Sequence, residues 1–274
     1  MHRKDRRYTA ETLSRLTVMP GQIFTIARFT LLEAMRTRLP WLVLAAIAIA
    51  FMASLFAREI AITDSTRVQT ALFAASLRLA SVFIVGLHVM TSMIREFNDK
   101  GLELVLSLDL PRWIYALGKF IGFALIGVWI ALAICLPLSF LADWREVLLW
   151  GISLALELSI IVALSLFCVI TFNQIMPAAT FVFAFYALSR SMEAIQLISQ
   201  SSPIADTGAF HGAIEFMVNA VALLLPSLNT FSETAWLVNE SGGLSMLSNV
   251  VIQSTMYIGL LLSAALFDLY RRNF

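Results

Sequence analysis

Charge is what this 274-residue chain has little of: Asp, Glu, Lys and Arg make up 14% of it, against 59% hydrophobic residues. With a mean hydropathy of +0.84 and several apolar runs of bilayer-crossing length, a water-soluble globule is excluded. Cysteine is scarce as well. Cys135 and Cys168 are the only two, and each sits inside an apolar run without supporting ligands, so neither a disulfide framework nor a metal site is expected. Catalytic motifs are missing too. No His-Glu-x-x-His occurs, and Ser153 after Gly151 lacks the second glycine of a nucleophile elbow. Gly118-Lys119 is no phosphate loop, because Trp113 stands where the first glycine belongs and Phe120 where Ser or Thr should follow. The expectation is a non-enzyme that holds no cofactor itself and has no nucleic-acid partner.

What is present is a series of apolar runs. A bilayer core of about 30 Å takes roughly 20 residues of helix, and six stretches approach that length: 39–57, 70–94, 115–140, 148–172, 175–198 and 244–269. The first carries no charge, yet starts too far from the basic beginning of the chain to be a signal peptide, so it is read as retained. The fold class expected is therefore an all-α integral membrane protein with a single domain over 1–274.

Lys and Arg alternate between the two sides of these spans. Eight precede Leu39, four lie in 95–120 and two end the chain, whereas the opposite side holds Arg58, Arg67, Arg145 and Arg190. The positive-inside tendency then puts both termini and the 95–114 loop in the cytoplasm, with Asp64 and Thr207 outside.

Ahead of the first span, "QIFTIARFTLLEAMRTR" places Ile23, Phe24, Ala27, Leu31, Ala34 and Met35 on one arc of a helix, with Arg28, Glu33 and Arg36 opposite. That pattern fits an amphipathic helix over 22–38 in the membrane interface, or a cytosolic extension of the first span. In the external segment 199–243, "AIEFMVNAVALLLP" is too short to cross. It reads as a short re-entrant helix or as one packed on the outer ends of the spans. Gly118, Gly122 and Gly127 form a small-residue face that permits close helix approach.

Two ionisable groups lie deep in the apolar spans, Arg78 and Glu157. Each costs about 2.5–3.5 kcal/mol at a helix centre if unpaired. Their depths match, so the two are expected to form an intramembrane polar pair, either orienting two helices or lining a translocation path. His88 reads as a packing histidine. The loop "REFNDKGLELVLSLDLPRWIYALGKF" is different again, with four acids and four bases. A helix through it would align Glu96, Asp99 and Glu103 as an acidic stripe beside Leu102 and Leu106, a surface suited to docking a protein or, alternatively, a solvated hairpin.

The order Arg95-Glu96, Lys100-Gly101-Leu102-Glu103, Leu104, Leu106, Pro111-Arg112, Tyr115 and Gly118-Lys119-Phe120 resembles the ABC-2 type permeases of ATP-binding cassette transporters. "FTIARFTLLEAMRTRL" is similar to that family's connecting helix, and "LLPSLNTF" and "YRRNF" to its later landmarks. Asp109-Leu110 departs from the small polar residues usual before the proline. The resemblance implies an ABC-2 exporter fold and a permease paired with a second copy or a related chain in a bacterial inner membrane. It implies two cytoplasmic ATPase subunits carrying ATP and Mg, docked on a coupling helix over Glu96, Asp99, Lys100, Gly101, Leu102, Glu103 and Leu106. A membrane anchor recruiting a cytoplasmic protein, and an ion-coupled carrier using Arg78, His88 and Glu157, are the other readings.

Overall fold

In a computed structural model, the residues described are 21–61, 64–98, 111–201, 217–222, 225–239 and 244–271. They are helical throughout apart from turns, with no strand among them. Helix α1 covers 21–36. It is followed by α2 (Leu39–Ile60), α3 (Ser65–Asn98), α4 (Arg112–Leu138), α5 (Trp144–Phe172) and α6 (Ile175–Ser201). A helical stretch α7 spans 217–222; after a 3-10 turn at Leu228–Thr230 come α8 (Thr234–Asn239) and α9 (Leu244–Arg271). Six of these, α2 to α6 and α9, are long and apolar enough to cross a membrane.

Local chemistry sets the boundaries. Pro40 occupies the first turn of α2, where its missing N–H has no helical partner to lose. The Asp143 carboxylate accepts from the Arg145 N–H and caps α5. That helix ends at Asn173 in the left-handed conformation, φ 57°, which Asn tolerates better than most residues. Each expected span lies within one of the long helices or overlaps it closely, and α3 extends the expected 70–94 at both ends.

Helix α5 is the centre of the bundle. Its apolar window is 72% buried, against 22% for α2 and for α9, and it packs against α3, α4, α6 and α9. The outer helices expose large apolar side chains instead, such as Trp41, Ile49 and Phe56 on α2 and Met256, Leu260 and Phe267 on α9. That is the arrangement required where the solvent is hydrocarbon. The chain is an integral membrane protein.

The amphipathic helix does not lie free. Ala27, Thr30 and Ala34 are buried, seated on the glycine face of α4. A Cβ on Gly118 would come within 2.8 Å of the Ile26 Cβ, and one on Gly122 within 2.7 Å of the Thr30 Cβ and 3.0 Å of the Ala27 carbonyl. Gly118 and Gly122 therefore receive α1, whose large residues Phe24, Phe29, Leu32 and Met35 stay exposed, while Gly127 faces Leu158 of α5.

At one end of the bundle the Arg112 guanidinium donates to the Leu269 carbonyl at 2.6 Å, and the Thr171 hydroxyl donates to the Asp268 carboxylate at 2.6 Å. These contacts bring the start of α4, the end of α5 and the end of α9 together. A cation at a helix C-terminus also satisfies carbonyls that the helix leaves open.

The seating of α1 predicts opposite signs for two glycine substitutions. Gly122→Ala meets atoms close to the α1 backbone and should lose about 1–3 kcal/mol by overpacking. Gly259→Ala, which has nothing within 4 Å of its Cβ, should be neutral or gain up to about 1 kcal/mol of helix propensity. Thermal unfolding of the purified protein in detergent distinguishes them; equal midpoints for the two variants would contradict the close contact.

Candidate functional site

Between α6 and α9 the chain turns back into the bundle over residues 225–233, and the side chains that hold it there come from three spans. Leu228, Phe231, Ser232 and Trp236 are all buried. Ser232 is the focus. Its carbonyl accepts from Arg78 Nη1 of α3 at 2.7 Å and from Trp150 Nε1 of α5 at 3.0 Å. Its N–H donates to the Ser153 hydroxyl at 2.9 Å, and its own hydroxyl donates to Glu157 Oε2 at 2.8 Å. Every polar group of this one residue is satisfied by the bundle, as burial without water demands.

Ser232 also has φ 48°, a left-handed conformation that costs a non-glycine residue roughly 1–2 kcal/mol. Such a conformation persists where the surroundings over-determine it. Here four hydrogen bonds do so.

Arg190 of α6 completes the cluster. Its Nη1 donates to the Leu228 carbonyl at 2.6 Å and to the Phe231 carbonyl at 3.0 Å, and it forms an ion pair with Glu157 Oε1 at 3.6 Å. Tyr186, one turn earlier on α6, is in electrostatic contact with Glu157, Arg78 and Arg190. Beside it, Asn229 hydrogen-bonds Glu193. Glu157 stands 13 residues beyond Trp144, about 20 Å along α5, so the turn reaches well inside the bundle.

The sequence couples Glu157 with Arg78. In the structure both touch Ser232, while the ion pair of Glu157 is with Arg190, a residue that the sequence reading assigns to the outer surface because it follows the apolar core of the fifth span. Of the expected short helix over 213–226, residues 217–222 are helical; the described piece that enters the bundle is 225–239, and 202–216, 223–224 and 240–243 lie outside the described residues. His88 stands ten residues past Arg78 on α3, about 15 Å away along the helix, edge-on to Phe123 with ring centroids 6.1 Å apart.

A second polar centre lies at the base of the 99–110 loop. Glu96, in the last turn of α3, forms an ion pair with Lys119 of α4 at 2.5 Å, and their side chains are 21% and 9% exposed. Lys119 also lies 6.0 Å from the Tyr115 ring centroid and 5.9 Å from that of Phe123, within cation–π range. Glu96 is thus engaged with α4 rather than presented as a free charge. Asp99, Lys100, Gly101, Leu102, Glu103 and Leu106 lie outside the described residues. Among the described residues, no three His, Cys, Asp or Glu side chains come together as metal ligands.

In low dielectric, removing one member of an ion pair is worse than removing both. Glu157→Leu should therefore destabilise the protein by about 3 kcal/mol. Each arginine also satisfies buried carbonyls, two for Arg190 and one for Arg78, a loss that a double-mutant cycle cancels, so the coupling energy of Glu157 with Arg190, its ion-pair partner, should exceed that with Arg78. Thermal midpoints of the single and double variants measure this; equal coupling energies would show Glu157 tied evenly to both arginines.

No protein-family model matches this sequence, and no match is found among curated proteins.

Proposed function

We propose that the chain is the membrane-spanning permease of an ATP-driven exporter of the ABC-2 type, energised by a separate cytoplasmic ATPase that docks on the 95–110 loop. The observation that carries this reading is α3. It runs for 34 residues, about 51 Å, against a hydrocarbon core of about 30 Å. Glu96 ties its last turn to α4, and Arg78 reaches the Ser232 carbonyl. Twenty residues, about 30 Å of continuous helix, separate Arg78 from Asn98 at the edge of the loop. One stiff rod therefore runs from the polar loop to the buried turn at the far end.

In this reading an ATPase that moves the loop tilts or shifts α3 and, through Arg78, disturbs the turn that closes the far end of the bundle. ATP and Mg act on the partner. A second permease copy, or a related chain, supplies the other half of the pathway; the charge distribution favours both termini in the cytoplasm, and the resemblance to ABC-2 permeases favours a bacterial inner membrane. The substrate class is left open by spans that present mainly Leu, Ile, Val, Ala and Phe.

The test uses the loop acids Asp99 and Glu103. Asp99→Ala with Glu103→Ala should leave the protein inserted and abundant, lose a co-purifying ATPase and abolish ATP-dependent transport in proteoliposomes. Loss of a desolvated charged contact costs about 2–5 kcal/mol, whereas a solvated charge is worth under about 1 kcal/mol. Wild-type retention of the ATPase by this variant would refute docking through the acidic stripe. Retention with ATP hydrolysis that no solute alters would favour an anchor without transport.

A further inference from the structure

A groove of about 660 Å³ opens between the end of α1, the start of α2 and the last four turns of α3. The Ser232 cluster makes no use of it. Its walls are apolar, formed by Leu42 of α2 and by Phe83, Ile84 and Leu87 of α3. Its mouth is polar. Arg38 stands at the N-cap of α2 and Arg95 in the last turn of α3, so both guanidiniums sit at the end of the bundle where α4 begins. Among the described residues Glu33 is the one acid lining the groove, against Arg38 and Arg95, so their formal charge there is +1 with His88 neutral.

Neither arginine is in an ion pair among the described residues, and both are exposed. That contrasts with Lys119 and Arg190, which lie close by or deeper and are each paired to a carboxylate. Twelve residues separate Phe83 from Arg95, about 18 Å of helix, so the apolar wall extends from the charged mouth roughly halfway across a hydrocarbon core of about 30 Å. The large apolar residues of α1, Phe24, Phe29 and Leu32, are exposed beside this end, as expected for a helix at a membrane interface.

We infer that this groove is a binding site for an anionic membrane phospholipid, its phosphate held between Arg38 and Arg95 and one acyl chain lying along Leu42, Phe83 and Leu87. Basic pockets between spans at a membrane interface select anionic headgroups, and an arginine fork matches phosphate oxygens in geometry as well as charge. The apolar wall requires a tail, which a free phosphate lacks. The Ser92 hydroxyl lines the same groove and supplies a further donor beside the headgroup, whereas the Thr37 hydroxyl there donates to the Ala34 carbonyl. The inference concerns the lipid around the bundle and holds whether or not the chain transports anything.

Native mass spectrometry of the purified full-length protein tests it, with dioleoylphosphatidylglycerol, dioleoylphosphatidylcholine or inorganic phosphate added. The expected result is one tightly held phosphatidylglycerol, with phosphatidylcholine bound about tenfold or more weakly and inorganic phosphate not retained. Arg38→Gln with Arg95→Gln should weaken phosphatidylglycerol by about tenfold or more, as removal of two interfacial cations implies. Arg58→Gln, which removes a cation from the opposite end of α2, should change nothing. Leu87→Trp keeps both arginines but fills the tail channel and should weaken the same lipid, so the site is tested even if the double variant misfolds. Equal retention of the two phospholipids, unchanged phosphatidylglycerol binding in both groove variants, or retention of inorganic phosphate alone would overturn the proposal.

Discussion

A main-chain carbonyl carried into a membrane bundle has no water to bond to, and leaving it unpaired costs several kcal/mol. The turn at 225–233 brings in at least three: those of Leu228, Phe231 and Ser232. Arg190 answers the first two and Arg78 the third. The guanidinium is well suited to this, since it presents five donors and stays charged. Glu157 then meets the charge of Arg190 and accepts the Ser232 hydroxyl. Each ionised group in the cluster therefore has a role that a hydrophobic replacement would not fill, and each depends on the turn being in place.

The same turn explains the layout around it. Because Ser232 is held by α3 and α5 at once, and Leu228 and Phe231 by α6, the segment leading to α9 is a bracket across three spans. Trp150 bonds the same Ser232 carbonyl as Arg78, so a shift of α3 relative to α5 is felt at one atom. At the other end, Lys119 and Glu96 fix α3 to α4, and Gly118 and Gly122 let α1 approach that helix closely. Movement of α3 is constrained at both ends, which is what a transmitting element needs.

The spans were legible because hydropathy over about 20 residues is a collective signal, insensitive to any single side chain. Gly118 and Gly122 were legible as a place of close approach; their partner on α1 was not, since Ile26 and Thr30 carry no mark that pairs them with a glycine 92 residues away. Glu157 and Arg78 stood out as charges within apolar runs. Arg190 did not, because four polar residues surround it in "LSRSMEAIQ" and make it resemble the end of a span. Ser232 was invisible for a sharper reason. Its left-handed conformation is one that sequence reading assigns to Gly or Asn, and a serine in "TFSET" resembles any exposed loop. Tertiary bonds, not local propensity, hold it there.

Residues 225–239 belong to the body of the bundle and are not a loop lying on it. Hydrogen–deuterium exchange of the wild-type protein in lipid nanodiscs measures this at the amides themselves. Ser232 donates its N–H to the Ser153 hydroxyl, and Phe231 donates to the Leu228 carbonyl. Both amides should exchange on the timescale of those in α5, many orders of magnitude more slowly than an open chain. Exchange of both at open-chain rates, with α5 still protected, would contradict the account.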